Sequence, residues 1–192
     1  LARTKEYDED EVLRKAMELF WHQGYEKTSM QDLVEHMGIH RRSLYDTFGD
    51  KHSLFIKALE RYVEMMGGKI RAQVNKQQTA KQAIRSLFEL VILQQVQQPI
   101  GCMLVNTAVE LALHDPAAAE TVTKSFSRTE NLLRELLLRG QKSGEISDHH
   151  DVDKLSLFLN NSLVGLRVMA KTTSDKQRLY AIIDMSMEVL NS

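Results

Sequence analysis

Apolar residues recur along this chain at helical spacing, in blocks punctuated by glycine, proline and acidic residues. Between Tyr7 and Gln23, Val12, Leu13, Ala16, Met17, Leu19 and Phe20 form the stripe of an amphipathic helix. Asp8 to Glu11 place acid at its start, which suits the positive end of a helix dipole, and Gly24 stops it. Thr28 begins a second, short helix, with Thr28 and Gln31 in capping-box spacing. Its apolar face is Met30, Leu33, Val34 and Met37, and Gly38 ends it. A third helix over 40–48 is anchored by Leu44, Tyr45 and Phe48 and ends at Gly49. Asp50 caps a long fourth helix from Lys51 toward Met66, with Leu54, Phe55, Ala58, Leu59, Tyr62, Met65 and Met66 on its buried side. Gly67-Gly68 is expected to fray or bend it.

The remainder predicts five more helices, over 79–97, 102–113, 117–142, 152–172 and 175–190. Pro99-Ile100-Gly101 separates the first two, and Asp115-Pro116 opens the third with Pro at its first position. Ser143-Gly144 closes that helix. No segment alternates with period two, so the fold class is all-α, with about nine helices.

Composition narrows the functional classes. The 192 residues include only nine Gly and two Pro, in keeping with long helices, and the formal net charge is −1. Such a balance excludes a protein that coats nucleic acid through bulk basic charge, but not a local basic surface. Cys102 is the single cysteine, so no intrachain disulfide forms and no cysteine-based metal site is built within one chain. A reducing, cytoplasmic setting is expected. No apolar run approaches the ~20 residues that span a bilayer, and no membrane role is expected. No nucleotide-binding or metal motif appears in residues 75–192, so no cofactor and no metal is expected. Ser147, Asp148, His149 and His150 read as a solvated loop, because neighbours in sequence do not make a catalytic triad. A metal site at His149, His150 and Asp151 is the lesser reading of that loop.

Residues 29–48, SMQDLVEHMGIHRRSLYDTF, hold two short helices joined by a glycine turn. This is helix-turn-helix spacing, in which the second helix enters the major groove. Leu33, Met37, Ile39 and Leu44 lock the pair together, leaving Arg41, Arg42, Ser43, Tyr45, Asp46 and Thr47 to face outward. The longer string AMELFWHQGYEKTSMQDLVEHMGI followed by SLYDTFGDKHSLF resembles the TetR family of bacterial transcriptional repressors. The resemblance is specific over residues 9–60 and loose beyond them. It implies a helix-turn-helix DNA-binding domain in residues 1–50. A long fourth helix joins this to a helical ligand-binding and dimerisation domain in 51–192.

Family roles carry over position by position. Thr28 and Ser29 match the hydroxyl pair that opens the second helix near a phosphate. Arg41 and Arg42 match the exposed start of the recognition helix, where arginine pairs with guanine O6 and N7. Ser43 lies on the same outward face. Tyr45 matches a tyrosine that touches phosphate or a thymine methyl, Thr47 a backbone-contacting position, and Lys51 a phosphate-contacting lysine. Arg3 and Lys5 suit a minor-groove arm. The chain departs from the family at Arg42, often a small residue; at Asp46, often basic or aromatic; and at His40, usually a small hydroxyl cap. Asp46 repels phosphate unless it faces away or accepts from a cytosine amine.

The resemblance also implies a small-molecule pocket. Asn106, Thr107 and Glu110 stand among apolar residues of helix 102–113, and Asn160, Asn161 and Arg167 interrupt the apolar helix 152–172. The expected lining is Phe88, Met103, Asn106, Glu110, Phe126 and Asn161. The last two helices, residues 152–190, are the expected homodimer surface, through Leu155, Phe158, Leu159, Ser162, Leu166 and Met169, and Ile182, Ile183, Met185, Ser186, Val189 and Leu190. Gly165 lets helices approach closely. The expected partners are a double-stranded, palindromic DNA operator, a small-molecule inducer and a second copy of the chain. Three alternatives stay open: a sensor of electrophiles or redox state acting through Cys102, a helical interaction module without DNA binding, and a helical enzyme, for which no residue pair argues.

Overall fold

The computed structural model describes residues 7–94 and 101–191, and every regular element among them is a helix. In chain order these are α1 (Glu9–Gln23), α2 (Met30–Met37), α3 (Arg41–Phe48), α4 (Lys51–Val74), α5 (Ala80–Gln94), α6 (Met103–Glu110), α7 (Pro116–Ser143), α8 (Val152–Thr172) and α9 (Lys176–Glu188).

Local chemistry sets most of the boundaries. Asp8, Asp50, Asp115, Asp151 and Asp175 each precede a helix and accept from backbone N–H groups of its first turn. The start of α2 differs from expectation. Its N-cap is Ser29, whose hydroxyl accepts from the Asp32 amide at 3.1 Å while Asp32 Oδ2 accepts from the Ser29 amide at 2.8 Å. That pair is the capping box, not Thr28 and Gln31. Gly38 follows α2 in the left-handed conformation, at φ 72°, and turns the chain into α3.

α4 runs through Gly67-Gly68 to Val74. Met66, Ile70 and Val74 continue its apolar stripe past the glycines, so packing outweighs the weak helix propensity of glycine there. α6 ends at Glu110, three residues short of the expected bound, and leaves Leu113 exposed.

Two apolar cores result. The first joins α1 to α4 with α6 and the opening turns of α7, around Phe20, Leu33, Leu44, Leu54, Phe55 and Tyr62. The second joins α5, the latter half of α7, α8 and α9 with the end of α4, around Ile84, Phe88, Leu133, Leu159 and Ile183. α4 belongs to both and α6 bridges the first core to α7 and α8. Each fully buried leucine contributes about 1.5–3 kcal/mol.

Candidate nucleic-acid interface and regulatory cavity

α3 is amphipathic in the required way. Leu44 and Phe48 are sealed into the first core, while Arg41, Arg42 and Tyr45 are exposed and Ser43 and Thr47 half-buried. The outward groups are not idle. The Arg41 guanidinium lies 5.9 Å from the Tyr45 ring centroid, and Arg42 Nε stands 3.7 Å from Asp46 Oδ2. Asp46 thus faces its own helix-mate one turn back. Lys51 Nζ sits 4.2 Å from the Tyr25 ring centroid. Tyr7 was missed as a site residue: its hydroxyl is 2.6 Å from Thr47 Oγ1 and donates to the Ser43 carbonyl, fastening the N-terminal segment to α3. The periodicity placed Tyr7 on α1 and gave no hint of this contact.

Thr28 does not lie on that face. It is fully buried, and its hydroxyl donates to the Gly24 carbonyl at 2.6 Å, bracing the α1–α2 loop. Ser29 is exposed but its hydroxyl is engaged with Asp32. That bond, made from side chain and backbone of Ser29, holds the Asp32 carboxyl below its ordinary value and keeps a negative charge at the start of α2. Arg3 and Lys5 lie outside the described residues.

Three contacts link this unit to α6 and its flanks. Trp21 Nε1 donates to the Gly101 carbonyl at 3.1 Å. The Glu110 carboxylate, at the end of α6, accepts from the amides of Tyr25 at 3.0 Å and Glu26 at 2.8 Å. His52 Nε2 is 2.8 Å from Asp115 Oδ2, ahead of α7. Gly24 makes the Glu110 contact possible: at φ 85° and ψ 172° it occupies a region open essentially to glycine alone. A Cβ there would stand 2.9 Å from Glu110 Oε2.

A cavity of about 670 Å³ lies between α4, α7 and α8, with Cys102 and Leu104 at its α6 side. Tyr62, Met66, Ile70, Leu104 and Leu132 give it an apolar wall, and Gln94, Thr129 and Arg167 stand among them. A second hollow of about 490 Å³ borders the α1–α2 loop and includes Asn106, Glu110 and Lys171. Cys102 and Arg167 line both. Tyr62 is buried, which pushes its phenol well above the ordinary value, and its hydroxyl donates to Cys102 Sγ at 3.5 Å. Cys102 is itself buried.

The expected lining is thus dispersed. Phe88 and Met103 are in the two cores, Phe126 packs against the first, and Asn161 is exposed. Asn106 and Glu110 line the second hollow, where Lys171 Nζ donates to Asn106 Oδ1 and Glu110 holds the loop amides. Of the residues singled out on α8, Arg167 is the one facing the larger cavity. In the loop before α8, Gln141 Nε2 donates to the carbonyls of Ser147 and His150, and Asp151 caps the helix. Among the described residues no group of three or more His, Cys, Asp or Glu stands ready to hold a metal ion, and no helix is long and apolar enough to cross a membrane.

α8 and α9 divide their apolar residues between two faces. Leu159, Leu166, Ile183, Ser186 and Leu190 are turned into the second core. Leu155, Met169, Ile182 and Val189 are half-buried beside it, and Ser162 is half-buried as well. Leu157 at 56%, Phe158 at 45% and Met185 at 68% relative exposure remain uncovered, with Val168 and Tyr180 beside them. A Cβ on Gly165 would meet nothing within 4 Å, so that stripe is open to close approach.

Residues 12–58 match the family model described as bacterial regulatory proteins, tetR family, and residues 80–185 match the tetracyclin repressor-like C-terminal domain. The chain is 36% identical over 194 residues to the uncharacterised HTH-type transcriptional regulator YezE of Bacillus subtilis (strain 168), covering all of both chains. It is 32% identical to the HTH-type transcriptional repressor ComR of Escherichia coli (strain K12), covering 97% of this chain and 90% of that one. A cysteine-substituted form of the regulator CifR, solved with 26-base-pair double-strand operator DNA, superposes with a TM-score of 0.88 at 28% identity, over 98% of this chain and 99% of that one. A helix-turn-helix built on α2 and α3, a helical second half and matches that run from end to end place the chain in one family: it belongs to the TetR family of bacterial regulatory proteins.

Proposed function

We propose that the chain is a homodimeric transcriptional repressor of the cytoplasm that grips a palindromic operator through α3 and lets go when a small molecule fills the larger cavity. It acts by binding rather than by catalysis. The observation that carries this reading is α3 itself, whose Leu44 and Phe48 are core while Arg41, Arg42 and Tyr45 stand exposed on the other side. Arg41 and Arg42 read base edges, with Ser43 beside them, and Tyr45, Thr47, Ser29 and Lys51 position the backbone. One such helix reads one half-site, and the exposed stripe of Leu157, Phe158, Gly165 and Val168 on α8, with Tyr180 and Met185 on α9, supplies the pairing surface for a second copy.

The release mechanism follows from the ties to α6. A ligand between α4, α6, α7 and α8 touches Leu104 of α6, whose far end holds the amides of Tyr25 and Glu26 through Glu110. Displacing α6 therefore moves the helix-turn-helix units of the two subunits relative to each other. The ligand achieves this only by binding the displaced state more tightly. A gel-shift assay on the DNA upstream of the chain's own gene tests the reading. Specific retardation, lost in Arg41→Ala/Arg42→Ala, is expected, and a wild-type protein that prefers no sequence over random DNA would overturn it.

A further inference from the structure

The larger cavity carries charge that its own walls do not cancel. Arg71 of α4, Arg128 of α7 and Arg167 of α8 line it, against the single carboxylate of Glu64. Glu64, Arg71 and Arg128 are exposed, whereas Arg167 is half-buried. Among the described residues none of the three arginines is in an ion pair. A guanidinium cannot shed its proton, so a half-buried one without a counter-charge raises the local potential. The Tyr62 hydroxyl, also at this cavity, is turned to Cys102. The apolar wall of the same cavity is Tyr62, Met66, Ile70, Leu104 and Leu132. A volume of about 670 Å³ is that of a small-molecule site.

We propose that the inducer is an organic anion, with one carboxylate head paired by Arg167 and an apolar body lying along Met66, Ile70, Leu104 and Leu132. A planar guanidinium fork matches a carboxylate with two parallel hydrogen bonds. This inference rests on the reading of the cavity as the inducer site.

The test measures binding to the full-length protein by calorimetry, and operator release by gel shift. The probes are octanoate, decanoate and dodecanoate, their primary amides, and decyl phosphate. In the wild type a carboxylate binds at least about tenfold more tightly than the matched amide. In Arg167→Gln that preference falls to near unity with amide affinity unchanged, and Arg167→Lys, which keeps the charge, retains part of it. Equal binding of amide and acid, a preference that survives Arg167→Gln, or no binding by any of the three carboxylates would overturn the proposal. Decyl phosphate binding in preference to decanoate would overturn the carboxylate head. Ser125→Trp fills the cavity and separates the two readings. If carboxylates bind this variant undiminished, the cavity is not the inducer site. If it excludes them while the wild type takes amide and acid alike, only the charge assignment fails.

Discussion

The two positively charged regions of this molecule are built on opposite principles. On α3 both arginines are in water and already have company, Arg42 beside Asp46 and Arg41 beside Tyr45, and the half-buried Lys51 that opens α4 lies above the Tyr25 ring. In the larger cavity Arg167 is half out of water and has none among the described residues. The first arrangement holds its charges loosely, in high dielectric, where an exposed pair is worth little and DNA can displace the partner. The second stores an unmet demand for an anion. Residues 1–52 hold eight Lys/Arg against eleven Asp/Glu, so the DNA-facing segment is net acidic while the rest of the chain is net positive. Such a surface gains selectivity from a few placed cations and little non-specific affinity, and its operator binding is expected to show a modest salt slope.

The largest contrast should come from separating what α3 is from what it carries. Leu44 is 0% exposed, and Leu44→Ala should destabilise the fold by about 2–5 kcal/mol in denaturant unfolding and abolish operator binding with it. Arg41→Ala or Arg42→Ala should leave the unfolding midpoint unchanged and cost about 1–3 kcal/mol of operator affinity. Arg42→Ala should also relax base preference in a binding-site selection, whereas Tyr45→Ala or Lys51→Ala should weaken operator and random DNA alike. An unaltered selection profile for Arg42→Ala would remove Arg42 from base readout.

A smaller effect tests whether the two regions communicate. Glu110→Ala strips the Tyr25 and Glu26 amides of their acceptor, at a cost of about 1–2 kcal/mol because water reaches the site. Ligand affinity should hold while the ligand's power to release DNA declines. Gly24→Ala attacks the same contact from the other side, by backbone strain of about 1–3 kcal/mol and by crowding the carboxylate. Release that is undiminished in both variants would sink the route through α6.

The same contrast explains what was legible in the sequence. The helix-turn-helix rests on contacts within twenty residues: i to i+4 stripes, a capping serine, a glycine at φ 72°. Each leaves its mark in local order, so Leu33, Met37, Ile39 and Leu44 could be named as core from spacing alone. The cavity has no such mark, because it exists only where α4, α6, α7 and α8 converge. Phe88 and Met103 looked like lining and are core, since periodicity cannot tell which side of an apolar helix meets a void. Arg167 left one trace, a charge interrupting an apolar helix, and Glu110 another, though its partners lie eighty-odd residues away. The capping box stands one position beyond the spacing of Thr28 and Gln31 because Thr28 and Ser29 are both able caps, and Thr28 is buried with its hydroxyl bonded to the Gly24 carbonyl.

The smallest effect, and the most discriminating about the seam, lies at Asp115. Burial pushes its carboxyl up, but hydrogen bonds from the Ala118 amide, from His52 and from the Ala117 amide prevail, and the folded-state value falls below the ordinary 3.8. A carboxyl depressed on folding adds stability above its unfolded value and surrenders it as pH falls through the folded one. The native protein should therefore lose this increment only below about pH 4. Asp115→Asn keeps a neutral helix cap but removes the charge that the Ala118 and Ala117 amides and His52 share, so it tests that charge as a whole. The wild type should exceed this variant by less than about 1 kcal/mol at neutral pH, with the gap closing in acid. If the gap stays constant from neutral pH into acid, the carboxylate charge adds nothing at this position beyond what a neutral cap supplies, and it does not help hold α7 to the DNA-binding unit.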